Sequence, residues 1–295
     1  SQSNAMVLLN GESGSGKTQT ALALMRLSHE KAILESDGIF LENKNLAVLS
    51  EEEMCGIRGK EISMIFQEPM TSLNPVFSLG KQIKEPLFCH QDISDKQATA
   101  RALELLNLVG LSNPERRLYE YPHQISGGMR QRVMIAMALA CSPRLLIADE
   151  PTTALDVTTQ AQILELLKDL QEKIGLSILL ITHDLGVVAE VCDEVLVMYA
   201  GRIVEQGSVK DIFTNPSHPY TKAILEAIPR IGSSDRLKSI SGTIPSPGSL
   251  PEGCSFSPRC SFAEPLCSKK IPELEKVNEE GHSSACFLKS SFNKS

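Results

Sequence analysis

The chain has 295 residues, 42% of them hydrophobic and 22% charged, and carries a net charge of −7. This is ordinary globular composition, enough for one large domain and an appendix, and the acidic balance argues against nucleic acid as the main partner. No apolar run approaches the about 18 residues of a spanning helix, and no basic stretch followed by an apolar one opens the chain, so neither a membrane span nor a secretory signal is expected.

Ser1–Ala5 reads as the remnant of an expression tag ahead of Met6, and the reading of the fold starts there. Met6 to Leu9 is a short apolar run expected to form a buried strand, and Gln19 to Leu27 has helical character. Between them lies Gly11-Glu12-Ser13-Gly14-Ser15-Gly16-Lys17-Thr18, which fits G-x-x-x-x-G-K-[ST] at every fixed position. Strand, glycine-rich loop and helix start together make a phosphate cradle. Its backbone N–H groups and helix dipole face an anion, Lys17 reaches the β- and γ-phosphates, and the Thr18 hydroxyl is offered to Mg²⁺. The chain is therefore expected to bind a nucleoside triphosphate.

Residues 70–125 are interrupted by prolines but contain a good helix at Asp95 to Val109, so a mostly helical insertion is expected there. Ser126 sits at an N-cap position before a helix running to Ala140. Arg130 and Arg132 on that helix read as a solvated face or local ion pairs. Leu145–Ala148 and Ile178–Ile181 read as buried parallel strands, ending in Asp149-Glu150 and Thr182-His183-Asp184, at the strand ends where α/β folds place ligands. Thr158 to Lys173 shows one apolar helix face, and Glu194 to Gln206 reads as two strands joined near Ala200-Gly201. Beyond residue 230, seven prolines and glycines between Pro245 and Pro265 forbid long regular elements, and this tail needs something other than a core to hold it.

Taken together these segments resemble the nucleotide-binding subunit of an ABC transporter. The resemblance runs from Met6 to Cys286. It is carried by Gly11–Thr18, by Gln67 in Ile65-Phe66-Gln67-Glu68 and by Ile125-Ser126-Gly127-Gly128-Met129. Leu145–Glu150, Ala154-Leu155-Asp156 and His183 complete it, each in the family's order. It implies an α/β fold: an ABC-type P-loop NTPase core with a mainly parallel sheet over 6–230, a helical insertion at about 70–140, and a loop-rich, cysteine-bearing extension over 231–295. It also implies roles. Gly11, Ser13, Gly14, Ser15, Gly16, Lys17 and Thr18 would hold the ATP phosphates. Asp149, with Thr18 and Gln67, would hold Mg²⁺. Glu150 would act as general base on the attacking water, and His183 would contact the γ-phosphate. Ser126, Gly127, Gly128 and Met129 would close over ATP held by a second ATPase subunit, with Asp156 at that interface, so a lone subunit should hydrolyse poorly.

Gln67–Pro75 and Asn215–Lys222 narrow the resemblance to the oligopeptide, dipeptide and nickel importer ATPases. The implied function is ATP hydrolysis driving uptake of short peptides at the cytoplasmic face of the plasma membrane. Two membrane permease subunits, a second ATPase and an extracytoplasmic binding protein would be the partners. Nickel is the alternative cargo, and a soluble non-transport ABC ATPase a more distant alternative. Cys254, Cys260, Cys267 and Cys286 cluster in the tail without the paired knuckles of a zinc ribbon. Similar cysteines in the resembled family imply a [4Fe–4S] cluster, with zinc or no metal the alternatives, and nearby His282 reads as a surface histidine. Family members also carry, before the phosphate loop, two strands and an aromatic that stacks on adenine. Here Met6 to Asn10 precede Gly11 with no aromatic, so weakened ATP affinity is expected.

Overall fold

The computed structural model of the protein describes residues 4–67, 72–188, 191–228 and 240–289. Ser1 to Ser3, Glu68 to Thr71 of the Gln67–Pro75 segment, and 229–239 and 290–295 of the tail lie outside the described residues. In chain order the strands are β1 (Met6–Asn10), β2 (Phe40–Leu41), β3 (Lys44–Asn45), β4 (Ile62–Ile65), β5 (Leu145–Asp149), β6 (Ser177–Thr182), β7 (Glu194–Tyr199), β8 (Arg202–Ser208), β9 (Glu275–Lys276) and β10 (Ser283–Ser284). The chain divides into two compact units, Ser1–Ala5 with Thr18–Leu180 and Met6–Lys17 with Ile181–Ser295; β6 begins in the first and ends in the second. Among the described residues no helix is long and apolar enough to cross a membrane.

In the first unit the strand order is β4-β5-β6. β4 and β5 are parallel, with Ile62 opposite Leu145 and Ile65 opposite Ala148. The unbroken apolar run of β5 suits a strand covered on both faces, and Leu146 to Asp149 are all buried. The helix Val157–Ile174 buries Ile163, Leu164, Leu167 and Leu170, the face its sequence spacing requires. Between β4 and β5 the chain forms the helices Leu79–His90, Asp95–Leu108 and Gly127–Ala138. The second of these opens with a capping box between Ser94 and Gln97, and Ala98, Ala102, Leu105 and Leu106 form its buried face.

Two arginines of the helix Gly127–Ala138 reach carbonyls of other elements. Arg130 Nε donates to the Pro122 carbonyl at 2.7 Å, and Arg132 Nη1 donates to the Val109 carbonyl at 2.6 Å. Arg130 thus reaches the start of the turn Pro122–Gln124 and Arg132 the C-cap of the helix Asp95–Leu108, both from a half-buried position. At the start of the chain, Asn4 N donates to Ser177 Oγ at 3.2 Å, and the Ala5 carbonyl accepts from Ile178 N at 3.0 Å. These two residues take part in the first unit's packing.

In the second unit the order runs from the end of β6 through β1-β7-β8-β10-β9. β1 and β7 are parallel, and β7, β8, β10 and β9 are successively antiparallel. The tail thus shares a unit with the phosphate loop and extends its sheet. Its staple is a set of buried polar and aromatic contacts centred on Glu205 of β8. The Glu205 carboxylate accepts from Ser217 N at 2.5 Å and His218 N at 2.9 Å, and pairs with His282 Nε2 at 2.8 Å. His282 is 1% exposed, so it is no surface residue; the carboxylate hub of β8 pulls it in. Beside this hub the Phe256 ring packs edge-on to Tyr199, with centroids 5.2 Å apart, and lies 5.8 Å from His218.

His218 caps the helix Pro219–Glu226, accepting from Tyr220 N at 3.1 Å. Burial pushes its pKa from 6.5 down to about 3. The fold therefore favours neutral His218; the stability this gives is complete above pH 6.5 and is lost as pH falls toward about 3. His218→Asn keeps an acceptor at the cap and removes the titration. We expect its unfolding free energy, measured by denaturant titration, to fall less steeply than wild type between pH 6 and pH 4, within the window set by that shift. Parallel slopes for the two proteins would show that His218 does not titrate on unfolding.

Candidate functional site

The phosphate loop follows β1 in the second unit. Gly11 is a packing requirement: a Cβ there would sit 2.3 Å from the Met198 carbonyl oxygen and 2.7 Å from Ser15 Oγ. The loop then closes on itself, with Ser15 N donating to the Glu12 carbonyl at 3.1 Å. Lys17, 7% exposed, donates from Nζ to the carbonyls of Gly11 at 2.7 Å and Glu12 at 3.2 Å. Those contacts hold the ammonium over the loop. Ser13 and Gly14 are exposed, and Lys17 begins the helix Lys17–Leu24, with Thr18 in its first turn. Ser15 Oγ is fully buried and, among the described residues, has no hydrogen-bond partner. A phosphate oxygen would satisfy it, and the first-turn N–H groups add further donors, so the residues present fit a polyphosphate. In the same unit Asn10 Nδ2 donates to the Thr182 carbonyl at 2.9 Å, tying the end of β1 to the end of β6, where His183 follows, exposed.

The first unit holds the acidic residues. Asp149, 1% exposed, ends β5, and Glu150, 8% exposed, follows it. Glu150 has φ +49°, a left-handed backbone that costs a non-glycine residue energy and turns the chain sharply off the strand. Its Oε2 accepts from Thr153 Oγ1 at 3.2 Å. Because Ile65 of β4 lies opposite Ala148 of β5, the exposed Gln67 leaves the same sheet edge as Asp149 and Glu150. A hard divalent cation takes carboxylate, hydroxyl and amide oxygens, which are the groups Asp149, Thr18 and Gln67 supply.

Ser126 caps the helix Gly127–Ala138, accepting from Met129 N at 3.4 Å, and Ser126 and Gly127 are exposed. Gly128 packs where a Cβ would come 2.7 Å from Thr159 Cγ2. Thr159 is fixed by Asp156, which caps the helix Val157–Ile174 and accepts from Thr159 N at 3.0 Å and Thr159 Oγ1 at 2.7 Å. The Thr159 hydroxyl holds the exposed Asp156 carboxyl below the usual carboxylate range. The signature segment and the Asp156 cap are thus one packed arrangement, which sequence spacing alone did not reveal; Thr159 had no signal beyond being a polar residue in a helix's first turn.

The four tail cysteines are free thiols. Among the described residues no group of three or more His, Cys, Asp or Glu side chains is placed to hold a metal ion, so the expected iron–sulfur ligation finds no support. Burial raises the Cys254, Cys260 and Cys286 thiols, Cys286 to about 11. The tail's contacts run through Glu205, His282 and Phe256.

Comparison with known sequences decides the family. The profile described as ABC transporter matches residues 2–153, and that described as the C-terminal region of oligopeptide/dipeptide transporters matches 204–267. The chain belongs to the ABC transporter family. It is 55% identical over 284 residues to the oligopeptide transport ATP-binding protein AppD of Bacillus subtilis (strain 168), covering 96% of this chain and 86% of that protein. With the dipeptide transport ATP-binding protein DppD of the same strain it shares 51% over 280 residues, covering 94% and 83%. Among solved structures it is similar to the dimeric post-hydrolysis state of the ATP-binding cassette MJ0796 bound to ADP and Pi. The TM-score is 0.61 at 30% identity, over 70% of this chain and 87% of that one. The α/β P-loop NTPase fold of this ABC chain agrees with that likeness.

In this ABC chain the Gly128–Thr159 contact can be read by a double-mutant cycle. Gly128→Ala should push Thr159 off Asp156, and Thr159→Ser removes the methyl in the way. We expect equilibrium unfolding to give a favourable coupling of about 1 kcal/mol between the two changes. Strict additivity would mean that the signature helix does not bear on the Asp156 cap.

Proposed function

We propose that this chain is the ATP-hydrolysing subunit of a membrane ABC transporter that imports short peptides. The observation that carries the reading is a complete phosphate loop, with Lys17 already held on the Gly11 and Glu12 carbonyls, in a chain whose tail matches the oligopeptide/dipeptide C-terminal region. The same tail match, and the peptide-transport names of AppD and DppD, favour peptides over nickel as cargo.

The residues divide the work by their chemistry. Loop N–H groups from Gly11 to Lys17 and the Lys17 ammonium bind and orient the triphosphate. Asp149, Thr18 and Gln67 would hold Mg²⁺, which supplies charge neutralisation on the phosphates. Glu150 takes the proton of the water that attacks the γ-phosphorus as the bond to the β-phosphate oxygen breaks, and His183 positions that water. The Thr153 hydroxyl, donating to Glu150 Oε2 at 3.2 Å, orients that carboxylate. The exposed Ser126 and Gly127 are suited to close on nucleotide held by a second ATPase subunit, so the isolated chain hydrolyses slowly. Two permease subunits and an extracytoplasmic binding protein complete the transporter, with this chain peripheral on the cytoplasmic face.

Glu150→Gln keeps an acceptor for Thr153 and loses the base. We expect phosphate release by the assembled transporter to fall about 10²–10⁴-fold, while Mg–ATP affinity of the chain stays within a few-fold of wild type. Hydrolysis surviving in the variant would remove Glu150 from the role of base, and a wild-type chain that binds no Mg–ATP would end the ATPase reading.

A further inference from the structure

Glu12 occupies a free position of the phosphate-loop motif, and a carboxylate there is electrostatically unwelcome beside a polyphosphate. The tail answers it. Arg259, at the end of the short 3₁₀ turn Ser257–Arg259, reaches across 247 sequence positions to the loop. Its guanidinium forks onto the carboxylate, Nη1 to Oε2 at 2.9 Å and Nη2 to Oε1 at 3.2 Å. The Arg259 side chain is 6% exposed and that of Glu12 31%, so this is a shielded, bidentate pair rather than a surface one.

Arg259 is itself held from several sides. Nε donates to the Ser241 carbonyl at 2.8 Å, and Nη1 also donates to Tyr199 Oη at 3.3 Å. Tyr199 packs edge-on against Tyr220, centroids 4.7 Å apart, and Tyr220 Oη accepts from Glu12 N at 2.9 Å. Both ends of Glu12, side chain and backbone N–H, are therefore fixed by this cluster. The Glu12 carbonyl is in turn one of the two acceptors that hold the Lys17 ammonium. Tail, loop backbone and phosphate-binding lysine form one continuous chain of contacts within a single compact unit.

We propose that Arg259 is a positioning residue for ATP binding: it fixes the backbone of Glu12, on which Lys17 rests, and neutralises the Glu12 carboxylate beside the triphosphate. The tail is then a working part of the nucleotide site and not an appendage. This inference rests on the reading of Gly11–Thr18 as an ATP phosphate loop. It gives the tail a means of tuning the ATPase, since any event that moves Arg259 changes both the charge and the shape of the loop.

The test is Mg–ATP titration of the full chain, wild type against Arg259→Ala, Arg259→Gln and the double variant Arg259→Ala/Glu12→Gln. We expect Arg259→Ala to weaken Mg–ATP binding about tenfold, as loss of a shielded charge-assisted pair should. Removing the exposed charge as well should restore affinity to within about threefold of wild type, a rescue that a merely structural role for Arg259 would not produce. Should Arg259→Ala fail to fold, Arg259→Gln retains the stem and an amide donor, and it should show the same weakening. Binding by either folded single variant at wild-type strength overturns the inference, as does a double variant as weak as Arg259→Ala. Those outcomes leave the ATPase reading standing, whereas a wild-type chain that does not bind Mg–ATP overturns both.

Discussion

There is no room for a side chain at residue 11, and much else depends on that. The β7 backbone comes so close to the loop that only a glycine passes under the Met198 carbonyl. The close approach lets the chain fold over within a few residues, so that the Gly11 and Glu12 carbonyls point back at Lys17. An ammonium held by two carbonyls is desolvated but satisfied, and it stays where a phosphate can exchange with those acceptors. The parallel pairing of β1 with β7 sets this distance, so the chemistry of the loop is a consequence of sheet register.

A second constraint comes from buried charge. Glu205 is fully buried on β8, and a carboxylate in that position is tolerated only when its lone pairs are filled. Two backbone N–H groups at the start of the Pro219–Glu226 helix and the His282 ring fill them. The demand of one carboxylate thereby recruits a helix start and a tail segment to the sheet. The shielded Arg259–Glu12 pair ties another part of the tail to the phosphate loop. A segment with few apolar residues is held in this way by polar groups that cannot be left unpaired, together with one aromatic ring, Phe256.

The acidic residues of the first unit show how backbone strain serves a site. Glu150 adopts a left-handed conformation directly after a buried strand, turning its carboxylate away from the strand direction and into reach of Thr153. Asp156, six residues on, caps a long helix and fixes Thr159, against which the signature glycine packs. A short stretch of chain thus places a buried carboxylate, a helix start and the support of a neighbouring segment.

The elements with local causes were legible in the chain itself. The phosphate loop, the β5 and β6 runs, the Ser126 cap and the apolar face of Val157–Ile174 each follow from turn chemistry, capping or period, which are properties of neighbouring residues. The residue types of the candidate site, Lys17, Asp149, Glu150 and His183, were equally plain because their motifs are local. What the sequence could not decide was which distant groups meet. The carbonyls that Arg130 and Arg132 reach belong to other elements and carry no local mark. His282 read as a surface residue because Glu205, 77 positions away, carries no local mark of being its partner. The four tail cysteines stood out by their crowding, whereas the contacts that hold the tail run through Glu205, His282, Arg259 and Phe256, residues ordinary in sequence and decisive only once folding excludes water from them.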